Sequence, residues 1–73
     1  MVKISWEKLG RNIRAERERQ GMSVEELARR VGETTDYVIK AESGKRRLTL
    51  AESIAFYEAL GVTSNKLFAG IEE

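Results

Sequence analysis

The residues of this chain that could do chemistry are its charged side chains, because the sequence contains neither histidine nor cysteine. Without these residues the chain lacks the commonest general base, the common zinc ligands and a thiol nucleophile, so hydrolytic triads and zinc centres are excluded. Carboxylates are present, but no phosphate-binding glycine loop accompanies them. We therefore expect a binding function, with no catalysis, no metal and no cofactor.

The basic side chains are unevenly distributed along the 73 residues. Residues 1–47 hold 12 Lys and Arg against 8 Asp and Glu, a net charge of +4. Residues 48–73 hold one Lys against four Glu, a net charge of −3. The densest positive point is Lys45-Arg46-Arg47. Such a run favours contacts with phosphate groups, although runs of three are also common on solvated surfaces.

Apolar spacing and helix-end residues predict five helices and an all-α fold class, in one domain over residues 1–73. The predicted helices cover about Ser5 to Gln20, Val24 to Gly32, Thr35 to Ser43 and Leu50 to Gly61, and a short last helix starts at Val62-Thr63, carries Leu67 and Phe68 and ends near Gly70. Ser23 with Glu26, and Thr49 with Glu52, have the spacing of capping boxes. No segment alternates with period two for long enough to predict a strand.

The second and third helices have the spacing of a helix-turn-helix, over about residues 23–43. Only Gly32-Glu33 separates the end of one helix from Thr34, the cap of the next. A turn this short crosses two helices steeply. Ala28 is small where the helices approach, Gly32 permits a positive φ, and Val38 packs the third helix onto the core. An ordinary helical hairpin can show the same pattern.

Two charged residues fall on apolar faces of different helices. Arg17 follows Ile13 by four residues, and Glu42 follows Val38 by four. Since a buried charge needs a partner, we predict a structural ion pair between Arg17 and Glu42. The alternative is that Arg17 belongs to the solvated run Glu16-Arg17-Glu18-Arg19.

The stretch from Leu9 to Phe68 resembles the lambda-repressor-like (Cro/Xre-type) helix-turn-helix family. The matching segments, in order and without gaps, are Ile13-Arg14-Ala15-Glu16-Arg17, Gly21-Met22-Ser23, Glu25-Glu26-Leu27-Ala28, Tyr37-Val38, Glu42-Ser43-Gly44-Lys45-Arg46 and Ala59-Leu60-Gly61-Val62-Thr63. The resemblance implies a five-helix domain, with C-terminal helices over about residues 49–70 and an internal salt bridge at the positions of Arg17 and Glu42. It also implies a sequence-specific DNA-binding transcriptional regulator of the repressor type, which binds an inverted-repeat operator as a homodimer. The third helix, about residues 35–43, would lie in the major groove.

The resemblance also implies two sets of contact residues, carried over position by position. Base edges would face Thr35, Asp36, Ile39 and Lys40. Phosphates would meet Ser23, Thr34, Tyr37, Ser43, Lys45 and Arg46. Some of these residues have a plain structural alternative, since Ser23 and Thr34 can cap helices and Tyr37 can belong to the core.

The sequence departs from the family pattern on the expected DNA face. Val24 stands where the family typically has a Gln that binds a phosphate, and Ile39 stands where a polar residue is usual. Glu33 and Asp36 add negative charge beside the same surface. These departures predict modest affinity for nonspecific DNA. They also keep open an alternative function, a protein-interaction module of the antitoxin or anti-regulator class.

Apolar residues near the C-terminus predict a surface for a second copy of the chain. Leu67, Phe68 and Ile71, with Trp6 near the start, exceed what five short helices must bury. The alternative is that Leu67 and Phe68 close the core. The expected partners are therefore double-stranded DNA and a second copy of the chain, with a protein partner as the alternative. We expect no membrane segment and no small-molecule ligand, and a cytoplasmic location.

Overall fold

A computed structural model describes residues 3–72, which form five α-helices. The helices are α1 (Trp6–Arg19), α2 (Val24–Val31), α3 (Thr35–Ser43), α4 (Leu50–Leu60) and α5 (Ser64–Leu67). Within residues 3–72 the extended backbone pairs at a single antiparallel bridge, between Ile4 and Glu72. Beside it the Ser5 amide donates to the Ile71 carbonyl at 2.6 Å, so the two ends of the described chain lie together.

Hydroxyl side chains cap the first four helices, at Ser23, Thr34 and Thr49 as the sequence predicts and also at Ser5. Ser5, Ser23, Thr34 and Thr49 each accept a hydrogen bond from the backbone amide three residues later. Each satisfies one of the amides that a helix start leaves without an intrahelical partner. These caps place the starts of α2, α3 and α4 at the predicted residues.

Of the two predicted capping boxes, the structure contains one. At α4 the bonds are reciprocal, because Glu52 also accepts from the Thr49 amide at 2.9 Å. At α2 Ser23 caps the helix, but the Glu26 carboxylate instead accepts from Arg30 at 2.9 Å. The capping box predicted at α2 is therefore absent, because Glu26 forms an ion pair with Arg30 one helical turn away.

The last helix is shorter than predicted. It ends at Leu67, and Phe68 is its C-cap, so the helix does not continue toward Gly70. Leu67 is 1% exposed and Ile71 is 7% exposed, which places both side chains in the core. The turn after α5 thus directs Ile71 inward, where it meets the N-terminal segment.

The five helices share one hydrophobic core. Its fully buried side chains are Ile13 of α1, Leu27 of α2, Val38 of α3, Phe56 of α4 and Leu67 of α5. Each helix therefore contributes at least one residue that water does not reach. None of the helices within residues 3–72 has the length and apolar character needed to cross a membrane.

The backbones of α1 and α3 approach each other closely at Gly10. A Cβ atom at this position would lie 2.5 Å from the Ala41 carbonyl oxygen and would also collide with the Glu42 carbonyl. Glycine inside a helix costs about 1 kcal/mol relative to alanine. Here the missing side chain allows α1 to lie directly against α3, and the sequence pattern did not reveal this role.

Candidate nucleic-acid interface

The turn between α2 and α3 has the predicted geometry. Gly32 adopts a left-handed conformation with φ of 75°, and the Glu33 amide returns to the Ala28 carbonyl at 2.9 Å. Thr34 then caps α3. Ala28 is 3% exposed and Val38 is fully buried. The small residue of α2 and the β-branched residue of α3 therefore both belong to the core, as predicted.

The outward face of α3 carries the four residues that were predicted to meet bases. Thr35, Asp36, Ile39 and Lys40 are all exposed, and Ile39 is 53% exposed. The opposite face, with Tyr37, Val38 and Ala41, is buried. The helix therefore presents one solvent-facing stripe and anchors itself with the other.

Two of these exposed residues are paired with each other. Lys40 Nζ lies 3.1 Å from Asp36 Oδ2, one helical turn apart. Both side chains are more than half exposed, so the pair is a weak surface contact. It nevertheless leaves the stripe without net charge, and the positive charge of this surface comes from flanking residues.

The flanking hydroxyls differ in what they can still donate. Ser23 and Thr34 use their oxygens to accept backbone amides, which leaves each O–H group able to donate outward. The Ser43 hydroxyl instead donates to the Lys40 carbonyl at 3.1 Å. Lys45 is exposed directly after the α3 C-cap. Ser23, Thr34 and Lys45 are thus placed to meet an anion, whereas Ser43 must first give up a bond.

Glu52 of α4 accepts hydrogen bonds from both Tyr37 and Arg46. The Tyr37 hydroxyl donates to Glu52 Oε2 at 2.8 Å, and Arg46 Nη2 donates to the same oxygen at 3.0 Å. The Arg46 guanidinium lies over the Tyr37 ring, 4.6 Å from its centroid, and that ring stacks on Phe56. Tyr37 is only 8% exposed, so its prediction as a phosphate contact is corrected: it is a core residue with a committed hydroxyl.

Within the cluster of Tyr37, Arg46 and Glu52, the pKa values of Glu52 and Tyr37 shift in opposite directions. The Thr49 amide, the Tyr37 hydroxyl and the Arg46 guanidinium, in that order, lower the pKa of Glu52 to about 2. Burial, and then the neighbouring Glu52 carboxylate, raise the pKa of Tyr37 to about 12. Glu52 is therefore a fixed anion and Tyr37 a fixed donor at neutral pH.

The predicted pair of Arg17 and Glu42 is present and is nearly buried. Arg17 Nε donates to Glu42 Oε2 at 2.7 Å and Nη2 donates to Oε1 at 3.1 Å, in a two-pronged contact. Nη1 donates to the Met22 carbonyl at 3.0 Å. The side chains are 12% and 8% exposed, and the contact with Glu42 raises the pKa of Arg17. The pair joins α1 to the last turn of α3.

The predicted dimer surface needs correction. Leu67 and Ile71 are buried within the chain, so their side chains cannot meet a second copy. Phe68 is half-buried and lines an apolar cavity of about 210 Å³. The other apolar lining residues are Ile4, Trp6, Leu9, Leu48 and Leu50. Leu50 is 75% exposed, and sequence reasoning missed it because it also fits the amphipathic pattern of α4.

The fold and the α2–α3 geometry define a helix-turn-helix domain. The HTH_3 family model, described as helix-turn-helix, matches residues 13–67, and the chain belongs to this family. The restriction-modification controller protein C.AhdI from Aeromonas hydrophila is 32% identical, with a TM-score of 0.83 over 86% of this chain and 96% of that chain. The hypothetical transcription factor NHTF from Neisseria is 33% identical, with a TM-score of 0.82 over 88% of this chain and 74% of that chain.

A third structure shares the fold at lower identity. The clp gene regulator ClgR from C. glutamicum is 23% identical, with a TM-score of 0.84 over 89% of this chain and 84% of that chain. No curated protein matches the sequence. The all-α, five-helix fold expected from the resemblance to Cro/Xre-type proteins is thereby confirmed.

Removal of Arg17 tests whether the α1–α3 ion pair is structural. Arg17→Ala leaves Glu42 nearly buried without its partner, and we expect a loss of about 3–5 kcal/mol in the free energy of unfolding. For a domain of this size that corresponds to a fall in Tm of more than about 10 °C. Thermal denaturation followed by circular dichroism measures it.

Arg14→Ala is the matched control for this experiment. Arg14 lies on the same helix and pairs with Glu18, but both side chains are more than half exposed. We expect this substitution to cost less than about 1 kcal/mol. Equal Tm changes for the two variants would contradict a structural role for the Arg17–Glu42 pair.

The lowered pKa of Glu52 predicts how stability depends on pH. Folding lowers this pKa from 4.5 to about 2, so the ionised carboxylate stabilises the fold above pH 4.5 and the contribution is lost as pH falls toward 2. Because the side chain is 22% exposed, we expect a contribution on the order of 1–2 kcal/mol, smaller than the full shift implies.

Urea denaturation at pH 6 and at pH 2.5 measures this contribution. The parent chain should lose more stability on acidification than Glu52→Gln, by the amount that Glu52 supplies. Other carboxylates, such as Glu16 beside Arg19, titrate in both proteins and cancel in the difference. Equal losses in the two proteins would show that the Glu52 charge does not stabilise the fold.

Proposed function

We propose that this protein is a sequence-specific DNA-binding transcriptional regulator of the repressor type, with α3 in the major groove and no catalytic role. The observation that carries the proposal is the stripe of Thr35, Asp36, Ile39 and Lys40, exposed on the second helix of a helix-turn-helix. The names of the similar structures support it, since one is a restriction-modification controller and another a hypothetical transcription factor.

The stripe offers a different chemistry at each position. The Lys40 ammonium can donate to guanine O6 or N7, and Asp36 can accept from cytosine N4. Thr35 can donate or accept, and Ile39 can pack on a thymine methyl group. Because Asp36 and Lys40 already contact each other at 3.1 Å, base recognition replaces or shares that contact.

The phosphate contacts that support the proposal lie at both ends of the stripe. Ser23 and Thr34 at the helix starts have hydroxyls that can donate, and Lys45 follows the end of α3. Contacts of this kind set the orientation on the duplex, whereas the base edges carry the sequence information. With so few cations at this face, we expect weak binding to nonspecific DNA.

A second candidate function is docking of a protein partner on the same surface. Ile39 and Val24 line an open cavity of about 280 Å³ between α1, α2 and α3. Its other lining residues are polar or charged: Arg14, Arg17, Glu42 and Ser43. An apolar side chain that is 53% exposed beside such a cavity favours an apolar contact. Salt distinguishes the two functions, because phosphate binding weakens steeply with salt and apolar docking does not.

Selection from a pool of random duplex DNA, at low and at physiological salt, tests the proposal. We expect enrichment of an inverted repeat with half-sites about 34 Å apart, one turn of DNA. Binding of the enriched site should weaken as salt rises. No enrichment at either salt would contradict DNA binding and favour the protein partner.

Lys45→Ala and Lys66→Ala on the selected site test the assigned surface. Lys45 adjoins α3, whereas Lys66 lies on α5, and the two substitutions remove the same charge. We expect Lys45→Ala to reduce the slope of log K against log salt by about 1, and Lys66→Ala to leave it unchanged. The reverse result would place the DNA on another face.

We also propose that the chain binds DNA as a homodimer, through the apolar surface formed by Ile4, Trp6, Leu50 and Phe68. These residues line one cavity, whose wall also includes buried Leu48, and come from the N-terminal segment, α1, α4 and the end of α5. Two-fold symmetry places two recognition helices on successive half-sites. An exposed apolar patch of this kind is typical of a partner surface.

Leu50→Glu tests the dimer surface by sedimentation equilibrium at tens of micromolar protein. Leu50 is 75% exposed at the first position of α4, where a negative charge suits the helix dipole, so the fold should persist. We expect the variant to sediment as one chain and the parent as two. Ile39→Glu, at the other strongly exposed apolar residue of a helix, should leave the mass unchanged. A parent mass of one chain would contradict the dimer.

A further inference from the structure

We propose that Glu52 acts as an internal substitute for a DNA phosphate, which occupies Arg46 and thereby limits binding to nonspecific DNA. This inference rests on the proposed DNA-binding function. It assigns a specificity-determining role to a residue of α4 that lies outside the helix-turn-helix. It concerns the middle residue of the most basic run in the sequence, Lys45-Arg46-Arg47.

Arg46 is held in place by two contacts. Its Nη2 atom donates to Glu52 Oε2 at 3.0 Å, and its guanidinium lies 4.6 Å from the centroid of the Tyr37 ring. The contact with Glu52 raises the pKa of Arg46, as expected for an arginine paired with an anion. The side chain is still 46% exposed, so an incoming phosphate can reach it.

Glu52 differs from an ordinary surface carboxylate because its position is fixed. Its Oε1 atom accepts from the Thr49 amide at 2.9 Å, and its Oε2 atom also accepts from the Tyr37 hydroxyl at 2.8 Å. The side chain is 22% exposed. A carboxylate held by three donors presents a negative charge at one place, much as a backbone phosphate does.

The neighbouring cations provide the contrast. Lys45 and Arg47 are exposed, and no ion pair of either residue falls within residues 3–72. Of the run Lys45-Arg46-Arg47, the structure therefore engages the middle residue with an internal anion. For Arg46 to bind a phosphate, the phosphate must share the guanidinium with Glu52 or displace Glu52, so the net gain is small.

The contact between Glu52 and Arg46 would therefore weaken binding to nonspecific DNA more than binding to a specific site. Arg46 adds little to binding when the duplex offers only phosphates, because Glu52 already supplies an equivalent partner. At a specific site, where α3 makes all of its base contacts, a phosphate would lie close enough to Arg46 to share the guanidinium with Glu52 or to displace Glu52. Removal of the Glu52 charge should therefore strengthen nonspecific binding.

Glu52→Gln is the direct test, with Glu58→Gln as the matched control. The amide keeps the size of the side chain, and its one oxygen can still accept from the Thr49 amide. Its NH2 group takes the place of Oε2, which accepts from Tyr37 and Arg46 in the parent chain. Glu58 is an exposed residue of the same helix. Both variants gain one unit of positive charge. Binding to a random-sequence duplex is measured by fluorescence anisotropy across a series of salt concentrations.

We expect Glu52→Gln to bind the random duplex about threefold to tenfold more tightly than the parent at low salt, with a salt slope steeper by about 0.9, one additional phosphate. Glu58→Gln should show a smaller gain and an unchanged slope. Addition of Arg46→Ala to Glu52→Gln should abolish the gain. If Glu52→Gln behaves like Glu58→Gln or binds more weakly than the parent, the inference is wrong.

A second measurement covers the case in which Glu52→Gln does not fold. Arg46→Ala alone should then change the salt slope on random DNA much less than Lys45→Ala does, because Arg46 is already occupied. Equal changes would overturn the inference. If the parent chain does not bind DNA at low salt, both the inference and the proposed function fall, whereas binding without the Glu52 effect overturns the inference alone.

Discussion

The contact between α1 and α3 is the constraint on which the rest of the structure depends. A nine-residue helix such as α3 is not stable alone in water, so its position is determined by what it packs against. Gly10 allows the two backbones to touch, and the Arg17–Glu42 pair joins them a short distance away. The pair is costly to break because either partner alone would leave a nearly buried charge. This contact therefore determines the direction in which the exposed stripe of α3 faces.

Some of the positive charge around that stripe is neutralised within the chain. Asp36 contacts Lys40, and Glu52 contacts Arg46, so two of the cations near α3 already have anionic partners. The net charge of the N-terminal part thus overstates the positive potential that this surface offers to a polyanion. Under the proposed function, discrimination between sites then depends on base contacts and on fit more than on phosphate attraction. Ile39 and Val24 also reduce the attraction for phosphates, since neither apolar side chain can bind one.

Local sequence signals predicted much of the fold, and long-range contacts account for what they missed. Hydroxyl caps at Ser23, Thr34 and Thr49 act within one turn, so they place helix starts reliably. The Arg17–Glu42 pair was predictable because both charges interrupt apolar faces. The role of Gly10 was not, since a glycine inside a helical pattern does not show which backbone it will meet. Likewise the contacts of Glu52 with Tyr37 and Arg46, and the burial of Leu67 and Ile71, depend on tertiary packing that periodicity does not report.

Under the proposed function, the α2–α3 surface, held by α1, is the surface that meets DNA. Backbone amide chemical shifts of the labelled chain, recorded while a short random-sequence duplex is added at low salt, test this claim residue by residue. We predict that the largest shift changes fall at residues 23, 34–36, 39–40 and 45, while the amide shifts of α5 stay unchanged. Shifts concentrated in α5 and the N-terminal segment, or no shifts at all, would contradict it.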